Sequence, residues 1–443
     1  MENNSNKSWL LLISVLGVVY GDIGTSPIYA LKSSFIVSQL AVTNINVLGL
    51  ISLFIWILFI VVTIKYSYII MNIDKKEEKG GVLALSILCA NLKQTRFKSI
   101  SIALGIIGTA LLFGDGVLTP AISVISALEG LNIISSGLQN YIIITSISIL
   151  TLLFALQRLG SNLIGIFFGP IMLAWFFTLA ALGIYNIISE PSILKAFNPY
   201  FALYFMTNNG IMAFKALSGV FLVVTGAEAL YANCGYFGNK PIQLVWNFLV
   251  FPSLILNYLG QGSLLLRSPE LISNPFYYLV PMAGLYPLII LATCATIIAS
   301  QAMISGVFSI VSQAIKLDYL PKFEVLYTSL YKPEQVYVPI VNAVLYILTI
   351  VAILIFQTSD KLSFAYGLSV SGVMLITTIF ILTLLINKKH LNLFRLIVIL
   401  VILFLDCVFV LANIIKITEG AWYALLVTAI LSSFMWIWVH QKK

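Results

Sequence analysis

The sequence predicts an all-α polytopic membrane protein with about twelve transmembrane helices, and three observations lead to that prediction. The 443-residue chain is 60% hydrophobic, only 9% charged and has a mean hydropathy of +1.04. No soluble domain of this length has such a composition. The apolar residues form twelve long runs, about as long as a helix that crosses a bilayer. The charged residues lie in the short segments between these runs, where topology is encoded.

The predicted topology follows from the number of runs and the distribution of charge. An even number of spans places both termini on one side of the membrane. Most of the 24 Lys and Arg residues fall on that side, with the densest group between Lys65 and Lys98. The positive-inside rule therefore predicts a cytoplasmic N-terminus, residues 1–8, and a cytoplasmic C-terminus. The predicted segments are approximately 9–35, 46–71, 101–131, 139–157, 163–188, 211–235, 244–265, 281–312, 338–357, 362–386, 394–414 and 420–439.

Composition also excludes several classes of function. The net charge of +8 would suit nucleic acid, but these charges lie in loops between apolar runs, so we expect no nucleic-acid partner. The four cysteines show no paired spacing and are interpreted as free thiols. The two histidines, His390 and His440, lie at or beyond helix ends, which makes a histidine metal site unexpected. Nucleotide-binding and hydrolase motifs are absent from the sequence, so we expect neither an enzyme nor a bound cofactor.

The first run contains an unusual stretch, Gly21-Asp22-Ile23-Gly24-Thr25-Ser26-Pro27. Asp22 would lie roughly 20 Å along a helix that begins at Trp9, near the bilayer midplane. A carboxylate there costs about 2.5–3.5 kcal/mol, and the neighbouring glycines and proline weaken the helix further. Backbone groups freed by a break cannot face hydrocarbon. The sequence therefore predicts a broken helix that borders a polar cavity.

A similar stretch occurs in the sixth run and indicates an internal repeat. Residues 225–232 read Thr-Gly-Ala-Glu-Ala-Leu-Tyr-Ala, with a glycine, a carboxylate and a closing Tyr-Ala as in residues 21–30. The two helices are five spans apart and so cross the membrane in opposite directions. Glycine-interrupted helices at matching places indicate inverted repeats with a binding site between them. We predict one transmembrane domain, 9–443, with repeat one at about 9–188, repeat two at about 211–386 and two further helices at about 394–439.

Three carboxylates lie near the middle of their predicted helices: Asp22, Asp115 and Glu228. No Lys or Arg lies near the middle of those helices, so the acids must bind protons or cations, or else be protonated and hydrogen-bonded between helices. Carboxylates, hydroxyls and freed carbonyls are hard ligands that suit alkali or alkaline-earth ions. The sequence predicts a cation site that includes hydroxyls near these acids, namely Tyr29, Thr119, Ser123 and Thr225.

Other polar residues in the runs allow weaker predictions. Glu129, at the outer end of the third helix, is a candidate for admitting or gating ions. Tyr366 in the tenth helix is equally compatible with a place at the cavity and with a place outside it. Asp406 lies beyond the ten-helix repeat and is interpreted as structural or interfacial. A short apolar stretch at Val82–Leu92 predicts either a helix at the membrane surface or under the bundle, or an ordinary loop.

Four motifs resemble the KUP/HAK/KT potassium uptake permeases. These motifs span the membrane region and are Gly17–Pro27, Gly114–Val124, Thr225–Ala232 and Phe251–Gly262. The resemblance implies the amino-acid/polyamine/organocation fold, which is LeuT-like. That fold has a 5+5 inverted repeat with broken helices 1 and 6, plus two extra helices. It also implies a multi-pass protein of the plasma membrane (the bacterial inner membrane) that imports potassium together with protons.

Carried over residue by residue, the resemblance also implies a set of functional residues. Proton coupling is expected at Asp22, Glu228 or Asp115. Tyr366 and Glu129 remain the candidate gates or secondary residues from their positions in the helices alone. Family members usually continue into a cytosolic C-terminal domain, whereas this chain stops at Lys443, so we expect no such domain and leave a homodimer open. The expected partners are potassium, protons and the lipid bilayer. The expected potassium ligands are Asp22, Gly24, Tyr29, Asp115, Thr119, Ser123, Thr225 and Glu228.

Three alternatives remain at this stage. A proton- or sodium-coupled symporter of an amino acid or another small organic solute could use the same fold, although three unpaired acids disfavour an anionic substrate group. A potassium channel would need a filter loop resembling TVGYG, which the sequence lacks. A membrane enzyme has no motif to support it.

Overall fold

The computed structural model describes residues 2–72, 80–92, 95–159, 162–327, 336–387 and 392–441. Within them, eleven helices are long and apolar enough to cross a membrane, and a bent pair at the start of the chain makes a twelfth span. A short antiparallel strand pair, Leu326–Tyr327 and Val336–Tyr337, follows the eighth span. We number the spans α1 (Glu2–Val19 continued by Gly21–Thr25), α2 (Asn44–Asn72), α3 (Thr95–Leu128), α4 (Gln139–Leu156), α5 (Asn162–Ser189), α6 (Tyr200–Ala232), α7 (Asn239–Arg267), α8 (Met282–Lys316), α9 (Pro339–Phe356), α10 (Ser359–Asn387), α11 (Leu393–Ile414) and α12 (Ile417–Gln441).

The predicted all-α polytopic fold is confirmed by these twelve spans of the described residues. The first helix begins at Glu2, so it extends into the segment predicted as the N-terminus, 1–8. We call the face on which α1 begins the terminal side and the other face the opposite side. His390 and much of the predicted loop charge between Lys65 and Lys98 lie outside the described residues.

The break of α1 lies where the sequence predicted it. The segment Gly21–Ile28 is bent by 67° from Leu11–Val19, and Tyr20 between them leaves the helical conformation. Pro27 sits in a 3-10 turn, Ser26–Ile28, because its ring removes a backbone donor. The chain then resumes as a helix over Ala30–Ser38.

The break of α6 faces the break of α1. Thr225 is extended, Gly226 has φ +83°, and the helix restarts at Ala227–Ala232. A Cβ at position 226 would lie 2.7 Å from the backbone nitrogen of Ile23, so glycine is required there both by conformation and by space. The broken helices are five spans apart and run in opposite directions, as a 5+5 inverted repeat requires, and α11 and α12 follow the tenth span.

Small residues allow the helices around these breaks to approach closely. Gly183 of α5 and Gly260 of α7 meet so tightly that a Cβ at Gly260 would lie 2.6 Å from the Cα of Gly183. A Cβ at Gly219 of α6 would lie 2.4 Å from the Cα of Ser34 in the second half of α1. Such contacts are typical of helix packing in membranes, where van der Waals contact rather than hydrophobic burial holds helices together.

Two elements on the terminal side differ from the sequence-based interpretation. The short helix Val82–Ala90 packs under the bundle against α3 and α10 and is largely buried, so the surface and loop alternatives are wrong. Lys65, counted among the loop charges, lies in the part of α2 that is wound as a π-helix, Leu58–Ile69. It is only 1% exposed, so its charge belongs to the interior of the bundle.

Candidate ion-binding site

The two broken helices border a buried cavity of about 70 Å³. Its lining includes all three predicted acids, Asp22 from α1, Asp115 from α3 and Glu228 from α6. The cavity continues towards the terminal side, where it reaches Gly81 and Asn233. The fold therefore brings together three carboxylates that are far apart in sequence, as predicted.

Asp22 is buried, at 4% exposure, and has an incomplete set of partners. Its Oδ2 atom lies 3.3 Å from the hydroxyl of Tyr366, and its Oδ1 atom has no hydrogen-bond partner among the described residues. The described ion pairs do not include Asp22 either. This carboxylate thus presents a vacant oxygen in the interior of the bundle.

Asp115 is held by a hydroxyl of its own helix, which contacts a second hydroxyl on α10. Its Oδ1 atom accepts a hydrogen bond of 2.7 Å from Thr119, one turn further along α3 as the spacing predicted. The Thr119 hydroxyl also lies 3.1 Å from that of Tyr366. The hydroxyl of Tyr366 in α10 therefore lies between Asp22 and the Thr119 that holds Asp115, so it stands next to two acids of the cavity although Tyr366 itself is not among the lining residues.

The remaining predicted hydroxyls are buried, and those of Tyr29 and Thr225 belong to the two breaks. Thr225 Oγ1 lies 3.1 Å from Ser26 Oγ, so the two broken helices are joined by a direct side-chain contact. The hydroxyls of Tyr29 and Ser123 are buried without a hydrogen-bond partner among the described residues. Ser26 was not predicted, although it stands inside the motif that marked the break.

Gly24 differs from the other predicted ligands. Its carbonyl oxygen accepts a 2.8 Å hydrogen bond from the indole nitrogen of Trp175 in α5. This bond fixes the backbone of the α1 break against α5 and leaves only part of the carbonyl available to an ion. The Gly24 carbonyl therefore already has a hydrogen-bond partner in the protein, whereas Asp22 Oδ1 has none among the described residues.

Glu228 occupies its own polar corner of the cavity. Its Oε1 atom accepts a hydrogen bond from the hydroxyl of Tyr66 in α2, and the hydroxyl of Thr377 in α10 lies 3.4 Å away. Neither partner was predicted, because isolated hydroxyls in apolar runs carry little sequence signal. Their recognition requires knowing that α2 and α10 are neighbours of α6.

A buried ion pair lies next to this corner. The Lys65 ammonium is 2.8 and 3.0 Å from the two carboxylate oxygens of Asp406 in α11, and it donates to the Met374 carbonyl at 3.1 Å. Thr378 adds a 2.5 Å hydrogen bond to Asp406. Both charged side chains are almost fully buried, at 1% and 0% exposure. Asp406 therefore joins α11 to α2 inside the bundle rather than lying at the membrane interface.

Glu129 lies at the opposite side of the bundle, at the end of α3. It accepts hydrogen bonds from the backbone nitrogen and the hydroxyl of Ser359 at 2.8 and 2.5 Å. Lys32 lies 3.6 Å from Glu129 and 2.9 Å from Asp360. These contacts connect α1, α3 and the start of α10 across the face that the cavity does not reach.

The chemistry of the cavity is that of a hard-cation site. Groups of His, Cys, Asp or Glu arranged for a coordinated metal do not occur in the part of the chain that the structure describes. Carboxylate and hydroxyl oxygens suit alkali ions. Twelve spans around a cavity that three carboxylates line, between two broken helices, are typical of a membrane transport protein, and the carboxylates favour a small cation as its substrate.

Comparison with known sequences identifies the family. The chain belongs to the family described as the K+ potassium transporter integral membrane domain, which matches residues 9–443. Members of this family transport potassium and are not enzymes. The chain is 44% identical over 441 residues to a probable potassium transport system protein Kup from Methylibium petroleiphilum, covering 99% of this chain and 70% of the relative. A protein of the same description from Methylococcus capsulatus is 46% identical over 442 residues, with the same coverage.

Comparison with solved structures gives a weaker similarity. A manganese transporter from Eremococcus coleocola, crystallised with an aromatic bis-isothiourea substituted compound, is 14% identical, with a TM-score of 0.42. The alignment covers 97% of this chain and 92% of that protein. We draw nothing further from this similarity.

Proposed function

We propose that this potassium transporter is a K+/H+ symporter of the plasma membrane (the bacterial inner membrane) that works by alternating access. The observation that carries the proposal is the state of Asp22, a buried carboxylate with one oxygen vacant and no ion pair among the described residues. A buried charge without a partner is unstable, so this group is suited to a cation that comes and goes. The positive-inside pattern supports a cytoplasmic terminal side.

The proposed potassium ligands surround Asp22. Asp115 supplies a second carboxylate close to Tyr366, and Thr225 supplies a hydroxyl from the break of α6. Tyr29 and Ser123 supply hydroxyls that have no partner within the described residues. The carbonyl of Gly24 is the weakest member of the set, because Trp175 already donates to it.

Charge balance supports coupling to protons. One potassium ion neutralises a single negative charge, whereas three carboxylates line the cavity. Keeping the other two ionised in the same small space would cost a large Coulomb energy, so we expect protons on these acids. A proton that such an acid exchanges with alternate sides of the membrane would couple the two fluxes. We assign the transported proton first to Glu228, with Asp22 and Asp115 as the other candidates. The hydroxyl partners of Glu228 can donate to its ionised form and accept from its protonated form.

The asymmetry of the cavity supports alternating access. The cavity extends to Gly81 and Asn233 on the terminal side. On the opposite side, Tyr366 lies over Asp22, and Glu129 is tied to Ser359 and Lys32. We assign gating to Tyr366 and Glu129, because access from the opposite side requires their contacts to separate.

The charge of the cavity favours a cation over an organic solute with a carboxylate. An amino acid with its carboxylate would meet three acidic side chains. This favours potassium over the anionic organic solutes that the fold alone would allow.

Proteoliposomes with a potassium gradient, a trapped pH dye and a clamped membrane potential test the proposal. We expect protons to follow potassium inward, and we expect both fluxes to disappear in Asp22→Asn. In Glu228→Gln the proton flux should disappear. Glu270→Gln, which changes an exposed carboxylate in a loop after α7, is the matched control and should transport normally. Potassium flux without proton movement in the unmodified protein would contradict symport.

A further inference from the structure

A second group of vacant oxygen atoms lies where α7 meets the break of α1. The hydroxyls of Tyr29 and Tyr258 and the Oε1 atom of Gln261 have no hydrogen-bond partner among the described residues. These side chains are buried, at 1%, 0% and 0% exposure. They are not among the residues that line the cavity. Because buried polar atoms are nearly always hydrogen-bonded, three vacant oxygens at one helix contact require an explanation.

Several contacts bring these three residues together. The Nε2 atom of Gln261 donates a 2.9 Å hydrogen bond to the carbonyl of Pro27, two residues before Tyr29. Tyr258 and Gln261 are three residues apart in α7 and so share one face of that helix. Tyr258 interacts electrostatically with Tyr29. The ring of Tyr258 packs edge-to-face against the ring of Phe54, with the two ring centroids 4.9 Å apart.

The orientation of the Gln261 amide is fixed by its neighbours. Its Nε2 atom donates both to the Pro27 carbonyl and, at 2.8 Å, to Oδ1 of Asn257. Asn257 is oriented in turn, because its own nitrogen donates to the carbonyl of Leu179 at 3.2 Å. A backbone carbonyl can only accept, so reversing the Gln261 amide would place two acceptors against each other. The Oε1 atom of Gln261 therefore points away from Pro27 and Asn257, and no described donor binds to it.

This arrangement has the chemistry of a weak cation site. An amide oxygen and two hydroxyl oxygens are neutral, hard ligands of the type that alkali ions accept. They lie beyond Asp22 along α1, on the opposite side from the cavity. A site without a carboxylate binds weakly, and successive weak sites let an ion move on rather than remain trapped.

We propose that Tyr29, Tyr258 and Gln261 form a second cation position, which holds a partly dehydrated potassium ion on the opposite side of Asp22 before the ion reaches the carboxylates. This inference rests on the proposed function, because it places the second position on the same uptake path. It also gives a function to α7, whose sequence motif takes no part in the Asp22 site, and it makes the Tyr29 hydroxyl a ligand that the two positions share.

The variant Tyr258→Phe tests this position, because it removes one vacant hydroxyl and little else. We would measure the apparent melting temperature of purified protein in nanodiscs, first with N-methylglucamine as the only cation and then with increasing potassium. Without potassium, we expect Tyr258→Phe to melt at or above the temperature of the unmodified protein, since an unpartnered buried hydroxyl is a cost that the variant removes. With potassium, we expect Tyr258→Phe to need a roughly tenfold higher ion concentration than the unmodified protein for the same rise in melting temperature.

Uptake kinetics provide a second readout. In proteoliposomes, Tyr258→Phe and Gln261→Leu should raise the KM for potassium roughly tenfold and leave the maximal rate within about twofold, as expected for a lost binding contact. Tyr423→Phe is the matched control. It removes a buried hydroxyl of α12 that does have a partner, the Leu348 carbonyl at 2.7 Å, and that is not a ligand of the proposed position. It should melt earlier and keep the KM of the unmodified protein.

The outcomes separate this inference from the proposed function. Normal KM and normal potassium-dependent stabilisation in Tyr258→Phe and Gln261→Leu would overturn the second position. A melting temperature lowered equally with and without potassium would also overturn it, because that result indicates a bound water. If Asp22→Asn abolishes the response to potassium while Tyr258→Phe keeps it, only this inference fails. If potassium does not stabilise the unmodified protein, both the proposed Asp22 site and the second position are wrong.

Discussion

Asp22 and Asp406 are two carboxylates in the interior of the same bundle, and they differ in almost everything but burial. Their exposures are 4% and 1%. Asp406 receives the Lys65 ammonium on both oxygens and a hydroxyl from Thr378. Asp22 receives one long contact from Tyr366 and leaves an oxygen vacant.

This difference shows that partners, and not burial, separate a structural acid from a functional one. The charge of Asp406 is matched by a basic side chain, so α2 and α11 are held together without any ligand. The charge of Asp22 is matched by nothing in the described residues, so the surrounding fold must hold that site in an unsatisfied state. Such a state is expected where binding of an ion or proton completes the coordination.

Breaking the satisfied pair should have the largest effect on stability. In Asp406→Asn, the Lys65 ammonium stays buried but loses its negative partner. We expect a destabilisation of about 3–5 kcal/mol, the usual cost of an uncompensated buried charge. The apparent melting temperature and the yield of monodisperse protein measure this loss.

The matched control removes both charges. Lys65→Met combined with Asp406→Leu replaces the pair by apolar side chains of similar volume, which is often neutral for stability. We expect the double variant to recover most of the stability lost in Asp406→Asn. A double variant as unstable as the single one would mean that packing at these positions, and not the charge, holds the helices together.

Tyr66→Phe should have an intermediate effect. It removes the hydroxyl that donates to Glu228 while keeping the ring in place. Because a hydrogen bond to a carboxylate contributes about 1.5–3 kcal/mol, we expect a clear loss of thermal stability together with a lower ratio of protons to potassium transported. Stability and coupling that both match those of the unmodified protein would show that the Tyr66 contact is incidental.

Much of this comparison could be predicted from the sequence, and part of it could not. The position of Asp22 followed from counting residues along an apolar run, and the break followed from Gly21, Gly24 and Pro27 beside it. Both are local properties. The pairing of Lys65 with Asp406 depends on which helices become neighbours across 341 residues, and hydropathy patterns do not encode this.

The error over Lys65 has a physical cause. A lysine close to the end of an apolar run resembles a loop charge, because its long side chain usually reaches the interface. Here the Lys65 side chain is directed into the bundle, where it contacts Asp406, instead of towards the interface. Tyr66, Thr377 and Gln261 were missed for a related reason. Their importance lies in the groups they face on other helices.

The ion pair at the opposite side offers a smaller perturbation. Lys32 is partly exposed, with 12% of its side chain accessible, and it contacts Asp360 at 2.9 Å. Because solvent screens this pair more than it screens the fully buried Lys65–Asp406 pair, its contribution should be the smaller of the two. We therefore expect Lys32→Gln to lower the apparent melting temperature less than Asp406→Asn does, and less so at high salt. A loss as large as that of Asp406→Asn would contradict this ranking.

Asp22→Asn should have the smallest effect on stability and the most complete effect on uptake. The amide keeps the shape of the side chain, and its oxygen can still accept from Tyr366. Without potassium, we expect the free energy of unfolding to stay the same or rise slightly, because the variant removes a buried charge that has no partner. The unmodified protein should gain stability as potassium is added, whereas the variant should not, because ligand binding stabilises only a fold with an intact site. Equal melting temperatures without potassium, and a potassium-dependent rise only in the unmodified protein, would establish Asp22 as a binding group. A large drop without potassium would place it beside Asp406 as a structural acid.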